Sequence, residues 1–303
     1  MSDAQSKAGA GRLGVSLVQT LEGHQGAVYD LCLDDFGHLL SAGGDGLLVR
    51  WEKEGPQFFE KGTALAKADA PLFALAVLAD GGVLAGTGDG GVLQGGNEHA
   101  WSLVPANEGG TYVVCGHAVG GADGRWLDRR TGEVLASLEG RIRCWMELSG
   151  GDLLGTSDGL IHRVGRLGTT PAHKGAVRDL MPWPGKDAVA SVGGDGQLRI
   201  WSLPEEGALE PIIAIPAHKG AIYRAKPSPD GRWVATCSRD RSIALWDAES
   251  LTLMARVQRP AMPGHLRSVN ALAWVGSDRL ASAGDDGKIM LWKIHEPEHP
   301  ASN

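Results

Sequence analysis

The chain has 303 residues and a formal net charge of −7, enough length for one large or two small domains and for a sizeable core. Hydrophobic residues at 43% and charged residues at 21% exclude a disordered chain, and the acidic balance argues against a general phosphate-backbone-binding surface. Glycine, at 45 residues, stands at about twice its ordinary share of ~7% and follows no collagen period, so the composition asks for many tight turns.

Ten Trp stand against three Tyr and four Phe. Many turns with many Trp point to a repeated all-β architecture. Cys32, Cys115, Cys144 and Cys237 are far apart, with no C-x-x-C pair among them. They read as buried thiols in a reducing compartment rather than as a disulfide framework or a zinc site. The first twelve residues are small and polar, with no apolar stretch of a secretion signal. The longest apolar run, 70–79, contains Pro71 and falls well short of the roughly 20 residues needed to span a bilayer. The expectation is a cytoplasmic protein that contacts neither membrane nor nucleic acid.

In chain order, 13–20 is an alternating strand with no partner nearby in sequence. Segment 24–51 then opens a pattern that returns at 173–201, 218–246 and 265–292. In each, a His precedes an Asp by 21 or 22 residues, a Ser or Thr stands four before that Asp, and a Trp six after it. The sets are His24, Ser41, Asp45, Trp51; His173, Ser191, Asp195, Trp201; His218, Thr236, Asp240, Trp246; and His265, Ser282, Asp286, Trp292. Within the first unit, 28–33 alternates, 39–42 follows, and a Gly-Asp-Gly turn around Asp45 leads into 47–51. Glycine beside the Asp supplies the positive φ that a tight hairpin turn needs. A fourth, more polar strand fits before the next His, at 57–61 or 211–215.

These units resemble the WD40-repeat family of β-propellers, whose blades are four-stranded, open with Gly-His and close the third strand with Trp-Asp. Gly23-His24, Gly264-His265 and Trp246-Asp247 carry that spelling. Ala172 and Ala217 vary its Gly, and Trp51, Trp201 and Trp292 lack the following Asp. Between 66 and 172 the pattern is worn. Strands at 72–77 and 83–87 with a turn at Asp89 have Ala68 and Gly95 in the His and Trp places, and 142–148, 152–156 and 158–164 form a further unit with neither. Between them, 101–128 offers strand-like runs and no clean turn. Three worn units and four intact ones make seven, and a seventh of the chain is about 43 residues, within the ~40–45 of a blade. The resemblance therefore implies a single seven-bladed propeller over 13–295, closed by the N-terminal strand on the last blade, with tails at 1–12 and 296–303.

A Ser, a His and an Asp in each intact unit invite a hydrolase reading. A catalytic triad occurs once, however, and this set recurs four times with a Trp attached. The resemblance implies a buried chain instead: indole N–H to hydroxyl, hydroxyl to imidazole, imidazole to turn carboxylate. Other motifs are weaker. Gly86-Thr-Gly88-Asp-Gly-Gly91 fits G-x-G-x-x-G but lies in a strand-to-strand turn with no helix to receive a pyrophosphate. His295 and His299 sit in a proline-broken tail, so neither metal nor cofactor is expected.

The resemblance also places the residue five after the His, and the residue before the turn Asp, on one rim of the central channel. The first position gives Tyr29, Arg178, Tyr223 and Asn270, with Phe73 and Arg143 from worn units; the second gives Gly44, Gly194, Arg239 and Asp285. Tyr and Arg are enriched at protein-binding hot spots, and the arginines favour an acidic or carboxylate-ended segment. The expected function is a non-catalytic scaffold that binds a partner protein segment on this rim. The alternative is an enzyme or small-ligand site in the channel, built from His99, His117 or His162 in the worn units.

Overall fold

A computed structural model describes residues 12–54, 58–96, 99–149, 151–166 and 168–296. Within them, 28 strands form seven sheets of four. Six sheets take their strands in sequence order, so each is a meander whose inner strand leads to an outer one. The inner strands of blades 1 to 6 are Val28–Leu33, Leu72–Val77, Thr111–Val114, Ile142–Leu148, Val177–Pro182 and Ile222–Pro227. The seventh sheet has three strands of its own, Val269–Gly276, Arg279–Gly284 and Lys288–His295, and takes the N-terminal strand Gly14–Glu22 as its fourth. That strand pairs antiparallel with Lys288–His295, Leu17 opposite Trp292 and Val15 opposite Ile294. The pairing closes the ring as expected and covers an edge that would otherwise be free to pair with another chain. Residues 1–11 and 297–303, in the two tails expected from the sequence, lie outside the described residues.

Apolar side chains pack between neighbouring blades. Trp51, Leu39 and Val49 of blade 1 meet Ala271, Ala281 and Ala283 of blade 7, where small residues on one sheet admit the indole from the other. The glycine content goes largely into turns. Gly46 follows the turn Asp with φ 76°, and a Cβ there would run into the Ala68 carbonyl. Blade 6 places Arg241 at that position with φ 72°, a conformation uncommon for a side-chain-bearing residue.

The third blade departs from the sequence expectation. Trp101 belongs to the outer strand of blade 2, His99–Pro105, and 101–128 does contain a turn, at Asp123. Asn107 holds it in place of a His: its Nδ2 donates to Asp123 Oδ1 at 3.2 Å, and the Glu108 amide donates to Oδ2 at 3.0 Å.

Candidate site at the channel mouth

The four intact units hold their turns through the expected chain. In blade 1, Trp51 Nε1 donates to Ser41 Oγ at 2.9 Å, His24 Nε2 lies 2.8 Å from the same oxygen, and His24 Nδ1 lies 3.0 Å from Asp45. Blades 5 and 7 repeat this with His–Asp distances of 2.8 and 2.9 Å. Blade 6 stretches it to 3.4 Å, and His218 Nδ1 lies instead 2.9 Å from Ser242. The residue two before the Asp explains the difference. It is Gly43, Gly193 and Gly284 in the tighter units and Ser238 in blade 6. A Cβ at Gly43 would run into both the His24 ring and the Asp45 carboxylate. In blades 2 and 4, which lack the His, Thr87 and Thr156 take this position and donate their hydroxyls to Asp89 and Asp158. These units anchor the same turn by a shorter route.

The turns and the inner-strand starts lie at one end of the ring, since Val28 pairs with Gly43 and Leu47 with Lys67. At this end every inner strand carries a β-bulge at its second residue. The ladder skips from Val28 to Asp30, from Leu72 to Ala74, and likewise in the other five blades. The skipped residues are Tyr29, Phe73, Tyr112, Arg143, Arg178, Tyr223 and Asn270. A bulge leaves its residue out of the pairing and re-aims the side chain. Here all seven, one per blade, line a single cavity of about 460 Å³ at the channel mouth, together with Asp285 and Arg224.

The ring is continuous in chemistry. Tyr29 and Phe73 stack tilted at 5.1 Å, and Phe73 and Tyr112 at 5.4 Å. The Arg143 guanidinium lies 4.2 Å from the Tyr112 centroid, and that of Arg178 lies 5.4 Å from Tyr223, both within cation–π range. Asn270 Nδ2 donates to Asp285 Oδ1 at 2.7 Å and to the Val28 carbonyl at 3.1 Å. Burial, and then the Asp285 charge, raises Tyr29 above the usual phenol range, so it is a neutral donor at neutral pH.

Seven of the eight rim residues expected from the sequence are thus brought together. Arg239 is not: it is exposed, outside the cavity lining, because the position before the Asp faces solvent in blade 6. Tyr112 escapes the sequence count because no turn is read within 101–128, and because Asn107 stands only 16 residues before Asp123, whereas the His–Asp spacing of the intact units is 21 or 22.

Below the mouth, Arg224 reaches across the channel, with Nη2 3.4 Å from Asp30 of blade 1. It lines both the mouth and a second cavity of about 420 Å³ inside the ring. Burial alone would lower Arg224, but Asp30 and Asp179 outweigh it and hold the guanidinium charged. These two carboxylates also accept the Leu75 and Ala225 amides at 2.9 and 3.0 Å, tying blade 1 to blade 2 and blade 5 to blade 6.

Of the histidines of the alternative reading, His117 and His162 do not come together on one carboxylate. His117 Nε2 lies 3.0 Å from Asp152, and its Nδ1 3.6 Å from Cys115 Sγ, an order of residues that resembles a thiol triad. Yet Cys115 is 2% exposed and donates to the Ala118 carbonyl at 3.2 Å, and burial pushes its thiol up to about 11. A buried, protonated thiol is a poor nucleophile. Asp152 also accepts the Trp126 indole at 3.0 Å, so the cluster fastens blade 3 to blade 4. His162 contacts Thr169 Oγ1 at 3.3 Å and does not share that carboxylate; the His99 side chain lies outside the described residues. Among the described residues no group of three or more His, Cys, Asp or Glu is placed to hold a metal, and no helix is long and apolar enough to cross a membrane.

The family model described as WD domain, G-beta repeat matches 15–52, 165–202, 209–247 and 257–293, half of the chain and all four intact units. No curated protein matches the chain. Among solved structures, the WD40 beta propeller domain of Doa1 is similar at 18% identity with a TM-score of 0.78, over 92% of this chain and 97% of that one. At that identity the likeness speaks for the fold alone. With four repeats matched and seven blades closed into one ring, the chain belongs to the WD40-repeat family.

Proposed function

We propose that the protein is a non-catalytic interaction platform that docks a partner protein segment into the channel mouth, and that an acidic group of that segment meets the arginine side of the ring. WD40 propellers generally serve as protein-interaction scaffolds, and the fold by itself says nothing of the site. The observation that carries the reading is the set of seven bulges, which turn one side chain per blade onto one cavity. Structural demands alone would be met by apolar or small residues there. The ring holds three Tyr, one Phe and two Arg, the residue types concentrated at binding hot spots.

Among the described residues, no nucleophile with an accessible base lines the mouth, which favours binding over chemistry. The overall charge of −7 favours a protein partner over nucleic acid or an anionic membrane. Four free cysteines fit a cytoplasmic placement.

The test is capture from lysate of the host, comparing the parent with an Arg178→Ala/Tyr223→Ala variant and identifying retained proteins by mass spectrometry. A protein held by the parent and lost by the folded variant supports the reading. Equal retention by both would place the partner elsewhere.

A further inference from the structure

Arg143 and Arg178 are the bulged residues of adjacent blades, and the residues flanking them in the ring are Tyr112 and Tyr223. Each guanidinium lies over the tyrosine on its outer side, which leaves the two arginines as neighbours. They feel each other: burial and then the Arg178 charge lower Arg143 below the usual guanidinium range. Among the described residues neither is ion-paired with a carboxylate. The Nε atoms of both, like that of Arg50 outside the cavity, are buried without a hydrogen-bond partner, so what the arc offers a ligand is the charge and the terminal nitrogens of its two guanidinium groups.

The acids of the channel are already committed. Asp30 and Asp179 serve Arg224, Lys226 and four backbone amides. Asp285, the acid of the mouth, belongs to blade 7 and is bound by Asn270. The arc Tyr112–Arg143–Arg178–Tyr223 is therefore left with two adjacent positive charges and no carboxylate of its own.

Charge count selects the ligand. A carboxylate brings one negative charge and leaves one guanidinium uncompensated. A phosphate monoester brings about −1.5 to −2 at neutral pH, with three acceptor oxygens, and arginine's planar fork matches those oxygens. Resting on the platform reading above, we infer that the acidic group taken by this arc is a phosphate dianion on a phosphorylated side chain of the partner, so that docking depends on phosphorylation.

The test uses the whole protein and calorimetric titration with four small probes: phenyl phosphate, methyl phenyl phosphate, benzoate and inorganic phosphate. It adds capped, amidated pentapeptides carrying a central phosphoserine, phosphotyrosine, glutamate or serine. The expected result is that phenyl phosphate binds at least about ten-fold more tightly than benzoate or the singly charged diester. A phosphopeptide should exceed both its glutamate counterpart and inorganic phosphate. Arg143→Gln and Arg178→Gln should each lose about ten-fold or more of phenyl phosphate affinity, with circular dichroism confirming the fold. Arg239→Gln, on the same face outside the cavity, should leave it unchanged.

Phenyl phosphate binding no better than benzoate overturns the inference. If the glutamate peptide then binds and loses affinity in the arginine variants, the platform reading stands without phosphorylation. Tight binding of inorganic phosphate with no binding of any peptide would overturn the partner-borne phosphate in favour of a free small ligand, and with it the platform reading at this site.

Discussion

Arg143 rests 4.2 Å from the centre of the Tyr112 ring, the tyrosine of one blade beneath the guanidinium of the next. Both are the residues that their inner strands leave unpaired. The contact fixes the arginine at the mouth and leaves its Nε without a hydrogen-bond partner. Tyr112→Leu removes the ring face and should cost about 0.5–1 kcal/mol, while Tyr112→Phe should cost less. Equilibrium urea unfolding of the three proteins checks this, and an equal loss in both variants would show that the phenol hydroxyl, not the ring, does the holding.

The buried chains should govern stability. Ser282 Oγ receives the Trp292 indole at 2.8 Å and lies 2.8 Å from His265 Nε2. Ser282→Ala leaves two buried polar atoms without that partner and should cost about 2–4 kcal/mol in urea. A loss under about 1 kcal/mol would mean that the hydroxyl is replaceable, for instance by water.

Acid should loosen the same units, with the sign set by two kinds of group. Burial pushes Asp195 up, but hydrogen bonds from His173 and Arg199 outweigh it and hold it at about 2. The unfolded chain takes up that proton near about 3.9. The stability is therefore present above about pH 4 and is lost as pH falls toward about 2. His173 and His218 are lowered, chiefly by burial. Their contribution is complete above about 6.5 and declines as pH drops below it. The urea midpoint should fall in both windows, and Asp195→Asn should make the lower fall shallower without removing it, since Asp45, Asp240 and Asp286 are lowered as well. A midpoint unchanged from about pH 7 to about pH 3 would contradict this.

Much of this is legible because the fold writes itself in spacings. His24, Ser41, Asp45 and Trp51 keep fixed offsets, as do their three counterparts, and counting five from the His reaches Tyr29, Arg178, Tyr223 and Asn270. The count loses Tyr112 because its unit is shortened, with Asn107 only 16 residues before Asp123, so the spacing that finds the other turns passes over this one. Aligning on Asp123 and the Gly109-Gly110 pair before the strand recovers it. Arg239 shares its place in the pattern with Asp285, but Asp285 is turned to the cavity by Asn270, a partner that no local pattern announces. The substitution of Thr87 and Thr156 for a missing His is visible as a Thr two before the Asp, where His-bearing units carry Gly or Ser. What the pattern does not show is the seven bulges, since a bulge is a matter of register between strands and leaves no mark in either alone.

That exchange of glycine for threonine gives a further expectation. Gly193 faces the His173 ring so closely that a Cβ would overlap it. Gly193→Thr should therefore destabilise the protein by about 1–3 kcal/mol through overpacking. Gly132 has open space around it, with no atom within 4 Å of where a Cβ would stand, but its φ of 73° strains any side chain, so Gly132→Ala should cost only about 1 kcal/mol. Thermal or urea unfolding ranks the pair, and the reverse order would contradict the account of the turn.

The most direct measurement places a photoreactive benzoylphenylalanine at Tyr223 in one protein and at Phe36, in the loop at the opposite end of blade 1 and 78% exposed, in another. Both are irradiated in host lysate. The account predicts a protein adduct through position 223 that is absent through position 36. An adduct through position 36 alone would contradict it, and would move the partner to the other face of the ring.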